Sequence, residues 1–282
     1  VNATGRRENP APRRRHKGIA RTMTISQKTI ATVLLLLGGS LLGGCITHTE
    51  SVFTEEASPE KALERRVGLA RQYIGEGNWE DAKRNLAMAA EIDPENAEVH
   101  EAFALVYQST GEYELAEENF KRAIKLDKNF SRARNNYAAF LFSQSRYQEA
   151  EQQLEYVVRD TLYEARPRAF INLGLCRLQL FDKQGAEEAF VRALSMERNN
   201  SVALLETAVL RYEAGDYESA AQYYDRYRGT VRQQSARGLW LGVRLARAQG
   251  DLNAEGSYAL ALRNLYPDSP EYEAYKRTQQ SD

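Results

Sequence analysis

Two hydrophobic patterns divide this chain. The first is solid: Ile30 to Leu42 is a run of 13 residues without a charge. The second is periodic. From about residue 63 small and large apolar residues return every 34 residues, in units at 63–96, 97–130, 131–166, 167–200, 201–234 and 235–268, the third two residues long. The eighth position of each unit is small: Ala70, Ala104, Ala138, Gly174, Ala208 and Gly242. So is the twentieth: Ala82, Ala116, Ala150, Ala186, Ala220 and Ala254. The twenty-fourth is large: Leu86, Phe120, Leu154, Phe190, Tyr224 and Tyr258. Within a unit the apolar spacing is helical, and Gly77, Gly111 and Gly215 mark turns between a first and a second helix.

The spacing has a physical reading. Two antiparallel helices approach closely only where small residues face each other, and large residues fill the space between successive hairpins. One hairpin cannot bury its own apolar face, so neighbours must stack. A 34-residue helix-turn-helix period is that of tetratricopeptide repeats. The predicted fold class is therefore all-α, a superhelix of six hairpins over 63–268. Ser58-Pro59-Glu60 reads as a helix start with Ser58 as cap. After Pro267, Glu271 to Arg277 is expected to form a helix capping the last hairpin, within a tail at 269–282.

The solid run predicts an address. A bilayer span takes roughly 20 apolar residues, so 13 fit a signal-peptide core with Lys28 as its positive flank. Leu42-Gly43-Gly44-Cys45 follows at once and resembles a bacterial lipobox, which implies a signal peptide over 23–44 and acylation of Cys45. Ile46, in the place where Asp retains many lipoproteins at the inner membrane, directs the expectation to the outer membrane. Residues 45–62 read as a lipidated tether. Residues 1–22 are basic and aperiodic. Either translation begins at Met23 and they are not made, or they form a long basic n-region or arm.

Charge changes the picture once. The first 22 residues hold seven positive charges against Glu8, and Lys28 adds another. The net charge of −1 thus leaves eight excess negative charges from Cys45 on, which argues against nucleic-acid binding. The chain has two cysteines. With Cys45 acylated, Cys176 has no intramolecular partner, and its setting, Leu173-Gly174-Leu175-Cys176, predicts a small buried hydrophobe. His16, His48 and His100 are the histidines, and no His/Cys spacing suits a metal. No phosphate loop or nucleophile elbow occurs. The reading is a protein without catalytic chemistry, cofactor or small-molecule substrate.

What a repeat stack offers is a groove, lined mainly by the second, fifth, ninth, twelfth and thirteenth residues of each first helix. In the central units these positions are apolar. The candidate partner-binding residues are Asn135, Phe142, Ile171, Leu175, Leu178, Leu205, Val209 and Leu239, either an open strip for an apolar or amphipathic segment or side chains packed between hairpins. Asn135 and Asn136 resemble the asparagines of chaperone-binding repeats, but Val67 and Arg71 stand where the partner lysines belong.

Several stretches lie outside the generic repeat: Arg159-Asp160-Thr161-Leu162-Tyr163, Asn172-Leu173-Gly174-Leu175, Asn135-Asn136-Tyr137, Ser201-Val202-Ala203-Leu204, Ala221-Gln222-Tyr223-Tyr224 and Leu265-Tyr266-Pro267. With the lipobox they make the chain resemble the type IV pilus biogenesis and stability lipoproteins, the PilF/PilW family, from about Met23 to Tyr275. The resemblance implies a pilotin: a lipoprotein that binds the pilus secretin subunit in the periplasm and, through its lipid, takes it to the outer membrane for assembly. The competing expectation is a repeat lipoprotein that scaffolds envelope or peptidoglycan assembly.

Overall fold

Each first helix of the stack ends where the chain must reverse, and the structure shows how. A computed structural model of the protein describes residues 58–280. These fall within one compact unit, 56–282, and hold thirteen α-helices. The hairpins are α1 (Pro59–Glu76) with α2 (Trp79–Ile92), α3 (Ala97–Thr110) with α4 (Tyr113–Leu126), α5 (Ser131–Ser143) with α6 (Tyr147–Val157), α7 (Arg166–Gln179) with α8 (Lys183–Met196), α9 (Ser201–Glu213) with α10 (Tyr217–Thr230), and α11 (Ala236–Gln249) with α12 (Leu252–Leu265). A last helix, α13 (Pro270–Gln279), packs on α11 and α12. The architecture is the all-α tetratricopeptide superhelix.

Side-chain caps start many of these helices. The Ser58 hydroxyl accepts from the Lys61 N–H at 3.2 Å, and Asn96 accepts from the Glu98 and Val99 N–H groups at 3.0 and 3.2 Å. Asp182, Asp216 and Asp251 do the same for α8, α10 and α12. Each meets backbone donors that the helix leaves without a partner. Helix α1 begins at Pro59 with Ser58 as its cap, where Ser58-Pro59-Glu60 signals a helix start, so the end of the segment 45–62 is helical.

The turn inside each hairpin needs one residue in the left-handed region. Gly77, Gly111, Gly215 and Gly250 supply it in four units, but Ser145 (φ 59°) and Phe181 (φ 61°) occupy it in the third and fourth. Phe181 takes this φ with its side chain exposed, held by turn bonds from its own N–H to the Leu178 carbonyl at 3.1 Å and from the Asp182 N–H to the Arg177 carbonyl at 2.9 Å, at a cost of about 1–3 kcal/mol.

The small positions are the hairpin seams. Ala70, Ala104, Ala208, Ala82, Ala116, Ala150, Ala186 and Ala220 are fully buried. At Gly174 a methyl group would lie 2.6 Å from the Phe190 ring, so only glycine lets α7 and α8 close. Phe120, Phe190, Leu86 and Leu154 fill the spaces beside these seams. Cys176 is buried in the same core, and burial, with the charge of Glu151 adding to it, pushes its thiol up to about 12. It is a packing residue, not a nucleophile.

The basic segment 1–22, the leader, the lipobox with Cys45 and the tether as far as residue 57 lie outside the described residues. Among the described residues no helix is long and apolar enough to cross a membrane.

Candidate functional site

The first helices of the six hairpins form the concave wall, and its character changes along the stack. At the amino-terminal end a carboxylate sits at its centre. Glu101, on α3, is fully buried. It accepts from Arg71 Nη2 on α1 at 2.6 Å and from Asn136 Nδ2 on α5 at 2.6 Å, with Arg132 3.7 Å away. Arg132 also reaches Glu98 at 3.1 Å. A buried carboxylate is tolerable only with partners of this kind. The network joins three successive hairpins and engages Asn136, one of the two asparagines picked out in the sequence. Asn135 is itself buried and accepts from Asn172 Nδ2 at 3.3 Å. Beside this network lies a shallow depression of about 420 Å³, bounded among others by Glu60, Leu63, Val67 and Arg132.

The middle of the wall is different. Between α5 and α7 a pocket of about 100 Å³ is lined by Ala138, Ala139, Phe142, Leu154, Asn172, Leu175 and Cys176. Six of its seven lining side chains are apolar or the buried thiol; Asn172 is the polar one. Cavities on the order of 150 Å³ admit a benzene-sized group, so this pocket suits one aliphatic side chain. Phe142 is set in place by an edge-on contact with Tyr147, ring centroids 5.1 Å apart. Ala139 stands exposed at the lining.

The structure sorts the groove residues read from the sequence. Phe142, Leu175 and Leu178 are half-buried and remain available on the wall. Ile171, Leu205, Val209 and Leu239 are buried, at 8, 7, 2 and 4% exposure. Of the two readings left open, these four side chains take the packed one, and a short apolar pocket remains over a packed floor. Helices of successive hairpins approach closely enough that Ile171, Leu205 and Val209 join the core shared by units four, five and six.

Ion pairs between neighbouring hairpins stiffen the stack. Arg146 binds Glu117 through both terminal nitrogens, at 2.7 and 2.9 Å, and Tyr137 donates to the same carboxylate at 2.9 Å. Arg146 above all, then Lys121 and Tyr137, hold the Glu117 carboxyl down at about 2. Arg237 grips the buried Glu206 at 2.9 and 2.7 Å. The fork geometry of arginine on carboxylate suits such links. Sequence reading missed these pairs because their members lie about 30 residues apart, one repeat away from each other.

His100 is held between the Asn119 side chain and the Pro94 carbonyl, 3.0 Å from each. Among the described residues no cluster of His, Cys, Asp and Glu could hold a metal ion.

Comparison with known proteins agrees with this geometry. Residues 101–169 and 173–236 match the tetratricopeptide repeat family. The type IV pilus assembly protein PilF of Pseudomonas aeruginosa is 39% identical over 249 residues, covering 88% of this chain and 98% of that protein. A solved structure from the functional characterization of Pseudomonas aeruginosa PilF superposes with a TM-score of 0.74 at 40% identity, covering 78% of this chain and 99% of that one. The structure of PilW, described as a widely conserved type IV pilus biogenesis factor, gives a TM-score of 0.65 at 25% identity, over 76% of this chain and 98% of that one.

Proposed function

This chain belongs to the PilF family of type IV pilus assembly proteins, and from that premise we propose that it is a pilotin for the pilus secretin. In this reading Cys45 is acylated and anchors the protein to the periplasmic face of the outer membrane. The repeat wall holds the secretin subunit, and the anchor carries the pair to the membrane where the subunits form their multimer. The observation that carries the proposal is the pairing of a lipobox-like Leu42-Gly43-Gly44-Cys45 with a stack whose wall opens a pocket at Phe142 and Leu175. An anchor of two or more acyl chains is strong, because each buried methylene adds about 0.8 kcal/mol. The candidate grip comprises Phe142, Leu175 and Leu178; the last two pack on a core that includes Ile171, Leu205 and Val209, and Asn135 bonds to Asn172 of the pocket lining, while Leu239 is buried farther along the wall. Holding a partner requires no catalytic group.

The test is an immunoblot for heat-resistant secretin multimers in outer-membrane fractions of the wild type, a deletion strain and Cys45→Ala. The proposal expects multimers to vanish in the deletion and to remain at the inner membrane in Cys45→Ala. Normal multimers at the outer membrane in both strains would refute it.

A further inference from the structure

The carboxyl-terminal end of the wall holds a cation whose inner nitrogen makes no hydrogen bond. Arg244, on α11, is half-buried, and its Nε is sealed from solvent with no hydrogen-bond partner. Its guanidinium carbon lies 4.6 Å from the centre of the Tyr212 ring and 5.6 Å from that of Trp240. Trp240 is in turn set edge-on against Tyr275 of the capping helix, centroids 6.5 Å apart. The neighbouring charges are committed elsewhere. Glu213 takes Lys183 at 2.7 Å, and Glu206 takes Arg237. Burial, with the charge of Arg237 adding to it, draws the Arg244 guanidinium below its ordinary value against the opposing pull of Tyr212 and Glu213.

Other arginines of the first helices show what is missing here. Arg71, Arg177 and Arg237 each donate to a carboxylate at 2.6 to 2.9 Å. Arg244 is partly withdrawn from water beside two aromatic rings, and its Nε makes no bond of that kind. A planar guanidinium held beside aromatic rings presents its donors in a fixed fork. Tyr212 belongs to the groove positions of unit five, so the guanidinium lies beside the wall that would hold a partner.

We infer that Arg244, Tyr212 and Trp240 form a subsite for an acidic side chain, an Asp or Glu carried within the partner segment that lies along the wall. The carboxylate completes the fork of Arg244, while the pocket at Phe142 and Leu175 takes an apolar residue of the same segment. The inference rests on the pilotin reading for the identity of the partner, but not for the existence of the subsite.

Two measurements separate these. The first uses the full chain labelled with nitrogen-15, Cys45→Ala for solubility, and follows the indole N–H signals of its two tryptophans, Trp79 and Trp240. The probes are acetyl-Leu-Glu-Leu-amide and acetyl-Leu-Gln-Leu-amide. The Trp240 signal is expected to move with the glutamate peptide at concentrations at least tenfold lower than with the glutamine peptide. Trp79 stays still, and Arg244→Gln abolishes the difference. Equal response to both peptides, no response to either, or an unchanged preference in Arg244→Gln overturns the subsite. The second measures affinity for the periplasmic region of the secretin. Arg244→Gln is expected to weaken it at least tenfold with an unchanged or raised melting temperature, because the substitution removes a partly desolvated charge whose inner nitrogen is unbonded. Peptide discrimination with undiminished secretin binding leaves the subsite standing and overturns its assignment to that partner. A melting temperature lowered by several degrees, with no peptide discrimination, marks Arg244 as structural and overturns the inference.

Discussion

The two ends of the path from α1 to α7 solve opposite problems on one wall. Around Glu101 the wall is charged and satisfied from within: Arg71, Arg132 and Asn136 meet the carboxylate and tie three hairpins together. Around Phe142 and Leu175 the wall is apolar and leaves a pocket unfilled. Polar groups consumed by their own chain hold shape, whereas an apolar recess open to the groove invites a side chain from elsewhere. The difference teaches that position in the repeat does not set the role of a wall residue. What sets it is whether a complementary group stands one hairpin away.

The comparison breaks first at Glu101. Glu101→Ala is expected to lower stability by about 3–5 kcal/mol, because removing one member of a buried charged set strands the others. Chemical denaturation of the full chain reads this as a lower midpoint. Glu117 sharpens the same point through pH. Its carboxyl sits at about 2, below the ordinary 4.5. The group therefore contributes stability that is fully present above pH 4.5 and is lost as pH falls toward 2. Screened by the water that reaches this carboxylate, the contribution is on the order of 2 kcal/mol, and Arg146→Met is expected to flatten that part of the stability–pH profile.

Smaller effects follow at the seams and the pocket. Gly174→Ala forces a methyl against Phe190 and is expected to cost about 1–3 kcal/mol, read from the same denaturation curves. Ala139→Trp fills the mouth of the pocket from an exposed position. It is expected to change stability by no more than about 0.5 kcal/mol while weakening partner binding about tenfold, near 1.4 kcal/mol, measured by titration against the secretin's periplasmic region.

Much of the stack was legible because its rules are local in the repeat. Ala and Gly at the eighth and twentieth positions, and Leu, Phe or Tyr at the twenty-fourth, name the seams and their fillers directly. The turns of units three and four were less legible, since Ser145 and Phe181 adopt a backbone that the other units assign to glycine. The wall was half-legible. Period identifies Ile171, Leu205, Val209 and Leu239 as wall positions, but how far they open depends on the distance between successive hairpins, which no single unit encodes. Arg244 could not be found from sequence at all. Its significance lies in what does not pair with it, and that depends on Glu206 and Glu213 being taken by Arg237 and Lys183.

The central claim is that the apolar middle of the wall is where the partner is held. A photoreactive benzoylphenylalanine placed at Ala139, with a second at Val191 on the second helix of unit four as control, tests it in cells. Both positions are exposed. The account predicts a crosslink to the secretin from position 139 and none from 191. A crosslink from 191 with none from 139 would contradict it and move the interface off the wall.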